Sequence, residues 1–253
     1  MSILNKYSLK NKVALVTGSG RNLGKAIALG LADAGADVVL VSRTLIEVQK
    51  VSEKIKIKGH KSAAYKMDVT NFQQVLNIVN EIILKFGRID ILVNNSAIRH
   101  NKSVLEISVD EWREVIDTNL TGAFICCKAV GPHMITQKYG RIINIASRAG
   151  IRGRADATSY CASKGGLIQL NKALALEWAQ HNILVNAIAP GLIITDRTSE
   201  MPKYTFEKRI AGIPLHRAAQ VSEIIPCVVY LASDACTYMT GETITIDGGS
   251  AAQ

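Results

Sequence analysis

A serine, a tyrosine and a lysine in one short stretch of the chain could together handle a proton on a substrate oxygen. Ser147 follows an apolar run over 141–146, and Tyr160 and Lys164 lie four residues apart in a segment patterned as a helix. Side chains at this spacing share one helix face. A neighbouring ammonium favours the phenolate, so the tyrosine could give a proton to a carbonyl oxygen or take one from an alcohol. The serine hydroxyl could polarise the same oxygen.

This set of residues moves a proton but supplies no hydride, which must come from a cofactor. The tyrosine–lysine spacing is weak evidence alone, because Tyr204 and Lys208 repeat it with Gly191 in the place that Ser147 holds in the first copy. Without a cofactor signal, Tyr160 could equally be a helix-surface tyrosine beside a solvated lysine. Such a motif gains meaning from its structural context.

The beginning of the chain predicts a dinucleotide site. An apolar run over 12–17 ends in a turn from Gly18 to Gly24, a helix follows over 25–34, and a second apolar run covers 37–42. Glycines in such a turn let the backbone approach a pyrophosphate at the helix N-terminus. The order strand, glycine turn, helix, strand is typical of a dinucleotide-binding fold.

The same alternation continues to the end of the chain. Predicted strands cover 12–17, 37–42, 62–67, 89–93, 141–146, 183–189 and 242–246, and predicted helices cover 25–34, 45–57, 71–86, 108–118, 121–137, 156–180 and 221–232. The stretch 195–215 lacks clean periodicity and predicts an irregular segment. Seven strands alternating with helices predict a Rossmann-like, doubly wound α/β fold with a parallel sheet. No linker interrupts residues 1–253, so we predict a single domain.

Composition excludes several classes of protein. The 253 residues are 48% hydrophobic, yet no apolar run reaches the length of about 18 residues that a membrane span needs. The N-terminus has no apolar signal segment. Five cysteines, an odd number, do not suggest a disulfide framework. This cysteine content fits a reducing setting, so we expect a cytoplasmic protein. No Cys or His spacing fits a metal site, so we expect no catalytic metal.

The net charge of +9 raises the question of nucleic acid. The basic residues are scattered except in the run 54–61, where they alternate with isoleucine at the end of a predicted helix. This pattern is typical of a solvated face, so we predict no nucleic-acid partner. A positive field could still attract a phosphate-rich cofactor or an acidic partner.

Taken together, the motifs resemble the classical short-chain dehydrogenase/reductase family over essentially the whole chain. The matching residues are Thr17-Gly18 through Gly24, Asp68-Val69, Asn94-Asn95, Asn119, Ser147, Tyr160 with Lys164, Pro190-Gly191 and Asp247-Gly248-Gly249. Each motif is weak alone, but this order at these spacings is specific. The resemblance implies an enzyme that interconverts a carbonyl and a secondary alcohol by hydride transfer.

The resemblance also implies roles for single residues. Tyr160 is the proton donor or acceptor and Ser147 orients the substrate oxygen. Lys164 favours the phenolate and hydrogen-bonds the nicotinamide ribose, and Asn119 supports a water that leads to Lys164. Taken alone, Asn119 could instead be an amide that bonds local backbone.

The implied cofactor contacts span the chain, with Asp68 at the adenine, Asn94 on the ribose side and Thr195 at the nicotinamide carboxamide or the pyrophosphate. The predicted cofactor-binding residues are Gly18, Gly20, Arg21, Asn22, Leu23, Gly24, Ser42, Arg43, Asp68, Val69, Asn95, Ser96, Ala97, Tyr160, Lys164, Pro190, Gly191, Ile193 and Thr195. Two departures from the family pattern occur. Asn22 replaces a glycine, and asparagine tolerates left-handed backbone better than other side chains. Ser96-Ala97 stands where Ala-Gly is usual.

The end of the second strand bears on the choice of cofactor. An acidic residue there would bind the ribose hydroxyls of NAD, but this chain has Ser42 followed by Arg43. Serine and guanidinium groups can bind a 2′-phosphate, and Arg21 could approach the same phosphate. We therefore predict NADP(H) rather than NAD(H). The alternative is that both arginines are simply solvated.

The substrate remains open at this stage. We expect the pocket to be walled by 98–100, 149–156 and a lid over about 195–215, the last by resemblance. Four arginines near its mouth, Arg99, Arg148, Arg152 and Arg154, suggest an anionic substrate, although any single one could be solvated.

Overall, the sequence resembles 3-oxoacyl thioester reductases, which act on acyl-carrier-protein or CoA thioesters. Those enzymes dock an acidic acyl carrier protein through basic residues, whereas the corresponding positions here are Pro132 and Leu176. Sugar, polyol and small-ketone substrates therefore stay open. A non-catalytic cofactor-binding scaffold is the alternative of another class, but the serine, tyrosine and lysine are all retained. By resemblance, helices 121–137 and 156–180 should build a homotetramer or homodimer.

Overall fold

The strands of this protein are apolar on both faces, so helices must cover both sides of the sheet that they form. The computed structural model describes residues 2–252 apart from the side chain of Arg197, so Met1 and Gln253 of the predicted domain lie outside the described residues. The strands are β1 Val13–Thr17, β2 Asp37–Ser42, β3 Ser62–Lys66, β4 Ile91–Asn94, β5 Gly140–Ile145, β6 Ile183–Pro190 and β7 Thr243–Ile246. All are parallel, in the order β3-β2-β1-β4-β5-β6-β7. The predicted doubly wound α/β fold is confirmed.

Two helical layers pack on this sheet. The helices are α1 Asn22–Asp33, α2 Leu45–Ile57, α3 Phe72–Phe86, α4 Val109–Ile116, α5 Gly122–Gln137, α6 Thr158–Trp178, α7 Asp196–Ser199, α8 Lys203–Ala211 and α9 Ile225–Ala232. Each face of the sheet has its own hydrophobic core, and alternate residues of β1 pack into one core or the other. Val13 and Leu15 pack with α3, α5 and α6, whereas Ala14 and Val16 pack with α1, α2 and α9.

The strand order reverses at β1, which pairs with β2 on one side and β4 on the other. The connections on the two sides then leave in opposite directions, and a crevice opens at the carboxyl ends of these strands. The sheet therefore places the ends of β1, β2, β4, β5 and β6 around one depression.

The prediction of an irregular segment over 195–215 is wrong, because α7 and α8 lie within it. Thr195 and Thr198 cap α7 reciprocally, with the Thr195 N–H donating to the Thr198 hydroxyl at 2.7 Å. Pro202 precedes α8 in an extended conformation. Short, polar, mostly exposed helices bury too little surface to show clear apolar periodicity.

Two other boundaries matter for the site. Helix α1 begins at Asn22, earlier than the predicted 25, so the end of the glycine turn is already helical. Between α4 and α5 the chain forms one π-helical turn, Asp117–Thr121, which contains Asn119.

Helix α6 and the end of β5 approach each other unusually closely. After β5, residues Arg148–Gly150 form a 3₁₀ turn, and a Cβ at Gly150 would lie 2.7 Å from the backbone carbonyl oxygen of Lys164. The neighbouring atoms are backbone and cannot move aside as a side chain could. Buried amides add a second tie, since Asn144 of β5 donates to Asn171 of α6 at 3.1 Å. The glycine therefore fixes the loop after Ser147 against the helix that carries Tyr160.

We expect Gly150→Ala to lower the free energy of unfolding by about 1–3 kcal/mol, the usual cost of overpacking a tight contact. Gly153→Ala is the matched control, because a Cβ there would meet no atom within 4 Å. Urea denaturation of both variants measures the difference. Equal stability of the two variants would contradict the proposed close contact.

Candidate active site

A groove of about 640 Å³ runs along the carboxyl ends of β1, β2 and β4. Most of the predicted cofactor-binding residues line it, namely Gly18, Gly20, Arg21, Asn22, Leu23, Gly24, Ser42, Arg43, Asp68, Val69, Asn95, Ser96, Ala97 and Thr195. Residues that the sequence analysis did not single out also line it, among them Thr44, Glu47 and Asp196. We call this depression the cofactor groove.

The glycine turn of the cofactor groove is shaped for close approach. A Cβ at Gly24 would lie 2.1 Å from the Gly18 carbonyl oxygen, and Gly18 itself has a φ of +61°. Asn22 takes a φ of +48°, so the predicted left-handed backbone at this departure from the family is confirmed. No side chain caps the start of α1, which leaves its first N–H groups able to bind an anion such as a pyrophosphate.

Asn95 joins the end of β4 to this turn. Its side-chain amide donates to the carbonyl oxygens of Thr17 and Gly18, each at 3.0 Å. Asn94, expected on the ribose side of the cofactor, instead points into the interior and donates to Asn144 at 2.9 Å. Successive strand residues face opposite sides, so one asparagine serves the groove and the other the core.

The charges at the β2 end of the groove are mixed. Arg21 and Arg43 are exposed, and neither guanidinium makes a hydrogen bond or ion pair with the described part of the chain. The Ser42 hydroxyl donates to the Thr44 carbonyl at 2.9 Å, so its proton is already in use. Glu47 packs against Gly20, where a Cβ would lie 2.7 Å from its carboxylate. This carboxylate escapes sequence analysis because it reaches the groove from the first turn of α2.

Ser147 and Tyr160 come together in a second cavity of about 220 Å³, which we call the reaction cavity. Pro190, Gly191 and Ile193 also line it, and it shares Leu23, Ala97, Ile98 and Thr195 with the cofactor groove. The Ser147 oxygen accepts a hydrogen bond from the Ala149 N–H at 3.1 Å, so its own proton remains available to a ligand. Tyr204 of the second tyrosine–lysine pair is 76% exposed on α8.

Lys164 lies beneath the tyrosine rather than in the cavity wall. Its side chain is 2% exposed, its Nζ donates to the Ile145 carbonyl at 2.6 Å, and the same nitrogen lies 5.8 Å from the centre of the Tyr160 ring. Burial lowers the pKa of Lys164 to about 8, because desolvation disfavours the ammonium. At neutral pH most of the molecules still carry this cation next to Tyr160.

Asn119 acts as a clamp in this structure. Its carboxamide accepts from the Ile98 N–H at 2.8 Å, donates to the Ile98 carbonyl at 2.9 Å, and donates to the Ser163 hydroxyl at 3.0 Å. Within residues 2–252 none of these bonds goes to Lys164, so the water relay stays a prediction. The amide fixes the loop after β4 against α6.

The expected arginine cluster is mostly not at the reaction cavity. Arg99 lines it, but Arg152 donates to the Ser250 carbonyl and Arg154 to Asn101, each at 2.7 Å, and Arg148 is not among its lining residues. None of the residues 149–156 lines the reaction cavity, so the expected wall over 149–156 is wrong, and Arg152 and Arg154 bond to other loops instead. His100 pairs with Glu114 at 3.0 Å instead of facing the cavity.

Arg209 of α8 was missed and lines the reaction cavity. Phe206, Arg209 and Ile210 are the half-buried positions at the middle and end of α8. Only Phe206 and Ile210 form an apolar pair in this helix, and one pair is too short a pattern to have identified Arg209 from the sequence.

None of the described helices is long and apolar enough to cross a membrane. The described residues contain no group of three or more His, Cys, Asp or Glu side chains arranged to hold a metal ion. All five cysteines are unpaired.

Known proteins resemble this chain over nearly its full length. A family model described as enoyl-(acyl carrier protein) reductase matches residues 18–251. A 3-oxoacyl-(acyl-carrier-protein) reductase from Staphylococcus epidermidis is 39% identical over 94% of this chain and 98% of its own. Among solved structures, a short-chain type dehydrogenase/reductase from Mycobacterium marinum superposes with a TM-score of 0.93 at 36% identity, covering 98% of this chain and 99% of that one. A gluconate 5-dehydrogenase from Burkholderia cenocepacia, solved with NADP and tartrate, superposes with a TM-score of 0.95 at 31% identity, covering 100% of both chains.

The burial of Lys164 predicts a pH-dependent stability. Between pH 8 and about 10 the unfolded chain keeps the Lys164 proton and the folded chain has lost it, so the folded state gains stability as pH rises. Relative to Lys164→Met, the wild type should gain about 1.4 kcal/mol per pH unit in this window. Urea denaturation from pH 7 to 10 measures the change. Lys172→Met, at an exposed position of the same helix, is the control. If the difference in unfolding free energy between the wild type and Lys164→Met stayed constant with pH, the prediction would be wrong.

Proposed function

The chain belongs to the short-chain dehydrogenase/reductase family of oxidoreductases, and from this premise we propose that it uses NADP(H) to interconvert a carbonyl and a secondary alcohol. The observation that carries the proposal is the meeting of Ser147 and Tyr160 in a cavity continuous with the cofactor groove. The buried cation of Lys164 lies below the tyrosine ring. Nothing else in the described chain brings a proton donor and a dinucleotide-sized groove together in this way.

The residues present fit a nicotinamide dinucleotide. The uncapped start of α1 and the turn that lacks Cβ atoms at Gly18 and Gly24 suit a pyrophosphate. Asp68 keeps one carboxylate oxygen for a ligand, because Thr70 occupies only Oδ1. When bound, the cofactor supplies a hydride to the carbonyl carbon.

The protein supplies the proton and its control. Ser147 donates a hydrogen bond to the substrate oxygen and holds it near Tyr160. Tyr160 gives its hydroxyl proton to that oxygen in reduction and takes a proton back in oxidation. The Lys164 cation stabilises the negative charge that the tyrosine oxygen gains when its proton leaves. The proposed water at Asn119 would return the proton through Lys164.

We propose a preference for NADP(H) over NAD(H). Arg21 and Arg43 flank the β2 end of the groove without partners in the described chain, and guanidinium groups bind phosphate with charge-assisted hydrogen bonds. Glu47 places a negative charge at the same end, and Asp68, Asp196 and Glu200 line the rest of the groove, so the proposal rests on the position of the two arginines and not on the net charge of the groove. The NADP in the gluconate 5-dehydrogenase structure supports the same cofactor.

Two substrate classes follow from the relatives. The S. epidermidis relative is named as a reductase of 3-oxoacyl thioesters on acyl carrier protein, whereas the structural neighbour is named as a gluconate dehydrogenase. Pro132 and Leu176, at the positions expected to dock a carrier protein, are exposed and uncharged. The carbonyl–alcohol chemistry is the same for both classes, so the choice depends on the walls of the reaction cavity.

Assembly and location remain our proposals. Phe124 of α5 and Leu176 of α6 are 44% and 84% exposed, which supports a homodimer or homotetramer through these helices. The five unpaired cysteines support a reducing, cytoplasmic setting.

A non-catalytic scaffold is the competing function, and it would bind NADPH without oxidising it in the presence of any carbonyl compound.

Replacement of the proposed proton donor separates these alternatives. We expect Tyr160→Phe to lower kcat for NADPH-dependent reduction by about 100- to 10,000-fold, the usual share of a positioned acid, while NADPH binding persists. Initial rates with an acetoacetyl thioester, small ketones and oxidised sugars measure kcat. Fluorescence titration measures NADPH binding. Tyr204→Phe, in the second tyrosine–lysine pair, is the control. Unchanged turnover in Tyr160→Phe would remove the tyrosine from the mechanism.

Replacement of Arg43 tests the cofactor preference. We expect Arg43→Ala to raise the KM for NADPH by about 10- to 100-fold, as for the loss of a charged hydrogen bond, and to leave the KM for NADH unchanged. Glu47→Gln should lower the KM for NADPH, because it removes a charge that repels the 2′-phosphate. Lys61→Ala, exposed and outside the groove, is the control. A wild type with the lower KM for NADH would refute the preference.

A further inference from the structure

The charged residues in the described walls of the reaction cavity are all arginines. Arg99 and Arg209 are the two arginines among its lining residues, and none of the described lining residues is an aspartate or glutamate. Asp196 and Glu200, two acidic residues of the segment 195–215, line the cofactor groove instead.

The two arginines come from separate parts of the chain. Arg99 follows Ile98, whose N–H and carbonyl are both held by Asn119, so its backbone is anchored beside the site. Arg209 lies near the end of α8, where its guanidinium is 4.0 Å from the Met201 sulfur. Both side chains are half-buried. Their arrangement therefore depends on α8 packing over the cavity.

Permanent guanidinium charges in a partly buried cavity favour an anion of matching geometry. Arginine stays protonated at all relevant pH values and binds a carboxylate through two parallel hydrogen bonds. The cavity of about 220 Å³ is also small, below the range of about 300–1,000 Å³ of pockets that hold drug-sized ligands. A small carboxylate fits these walls better than the long, neutral acyl chain of a thioester.

We propose that the substrate is a small oxo acid or hydroxy acid whose carboxylate is bound by Arg99 and Arg209. This inference rests on the proposed carbonyl–alcohol function. Ser147 and Tyr160 then act on the carbonyl or hydroxyl of the same molecule. Because Arg209 belongs to α8, the packing of that helix links recognition of the anion to closure over the reacting groups.

Matched pairs of substrates test the charge requirement. Acetoacetate and its methyl ester are compared in reduction with NADPH, and gluconate and glucitol in oxidation with NADP⁺; within each pair the main difference is the carboxylate. We expect the wild type to prefer the acid of at least one pair. Arg99→Gln and Arg209→Gln should each lower kcat/KM for that acid by about 10- to 100-fold and leave the neutral partner unchanged.

Two further variants control for folding and helix placement. Lys208→Gln removes an exposed charge next to Arg209 on the same helix and should leave kcat/KM unchanged for both the acid and the neutral substrate. Arg209→Lys keeps the charge and should recover part of the preference for the acid. If both glutamine variants lowered turnover of acid and neutral substrates equally, the arginines would have a structural role and the inference would be wrong.

A binding measurement separates this inference from the proposed function. The NADP⁺ complex is titrated by calorimetry with tartrate and with threitol, which has the same carbon chain without carboxylates. Tartrate binding that is lost in Arg99→Gln and Arg209→Gln supports the anion site even if no carbonyl compound is turned over. Turnover of neutral ketones without preference for either acid or for tartrate keeps the proposed function and overturns the anion site.

Discussion

The contact between the end of β5 and helix α6 holds Ser147, Tyr160 and Lys164, the proposed reacting groups, together. Gly150 places loop backbone against the backbone of Lys164, and the Lys164 ammonium donates back to the Ile145 carbonyl at 2.6 Å. This hydrogen bond lies out of water, where a bond to a charged group is strong and its loss is costly. The strand end with Ser147 and the helix with Tyr160 therefore behave as one rigid unit. The same burial lowers the pKa of Lys164 toward neutrality, which makes the lysine both a structural and an electrostatic part of the site.

The cofactor groove is built on a comparable contact between β1 and β4. The Thr17 hydroxyl accepts hydrogen bonds from the backbone of Asn95 and Ser96, and the Asn95 amide donates to the carbonyls of Thr17 at the end of β1 and of Gly18 in the turn. These bonds hold the uncapped start of α1 open toward the groove. At the far end the balance of Arg21 and Arg43 against Glu47 sets the local charge. Shape at one end and charge at the other thus make separate contributions to dinucleotide binding.

The relatives of this chain are named for different substrates. A relative named as a 3-oxoacyl-(acyl-carrier-protein) reductase and a structure named as a gluconate 5-dehydrogenase both resemble the chain over nearly all its length, so the fold alone does not decide the substrate. Specificity must then come from side chains that contact the rest of the substrate. Arg99 and Arg209 are the charged members of that wall, and the second of them reaches it from the segment between β6 and α9.

The sequence by itself determined the order of strands and helices, the glycine turn, and the grouping of Ser147, Tyr160 and Lys164, because these depend on local periodicity and spacing. Tertiary structure decided which charged side chains face the site. Arg152 and Arg154 lie close to Ser147 in sequence and turn away to other loops, whereas Glu47 and Arg209 reach the two cavities from distant helices. The two helices within 195–215 also went unpredicted, since short polar helices bury too little to leave a periodic signal. Contacts between distant residues fix such choices, and no local pattern records them.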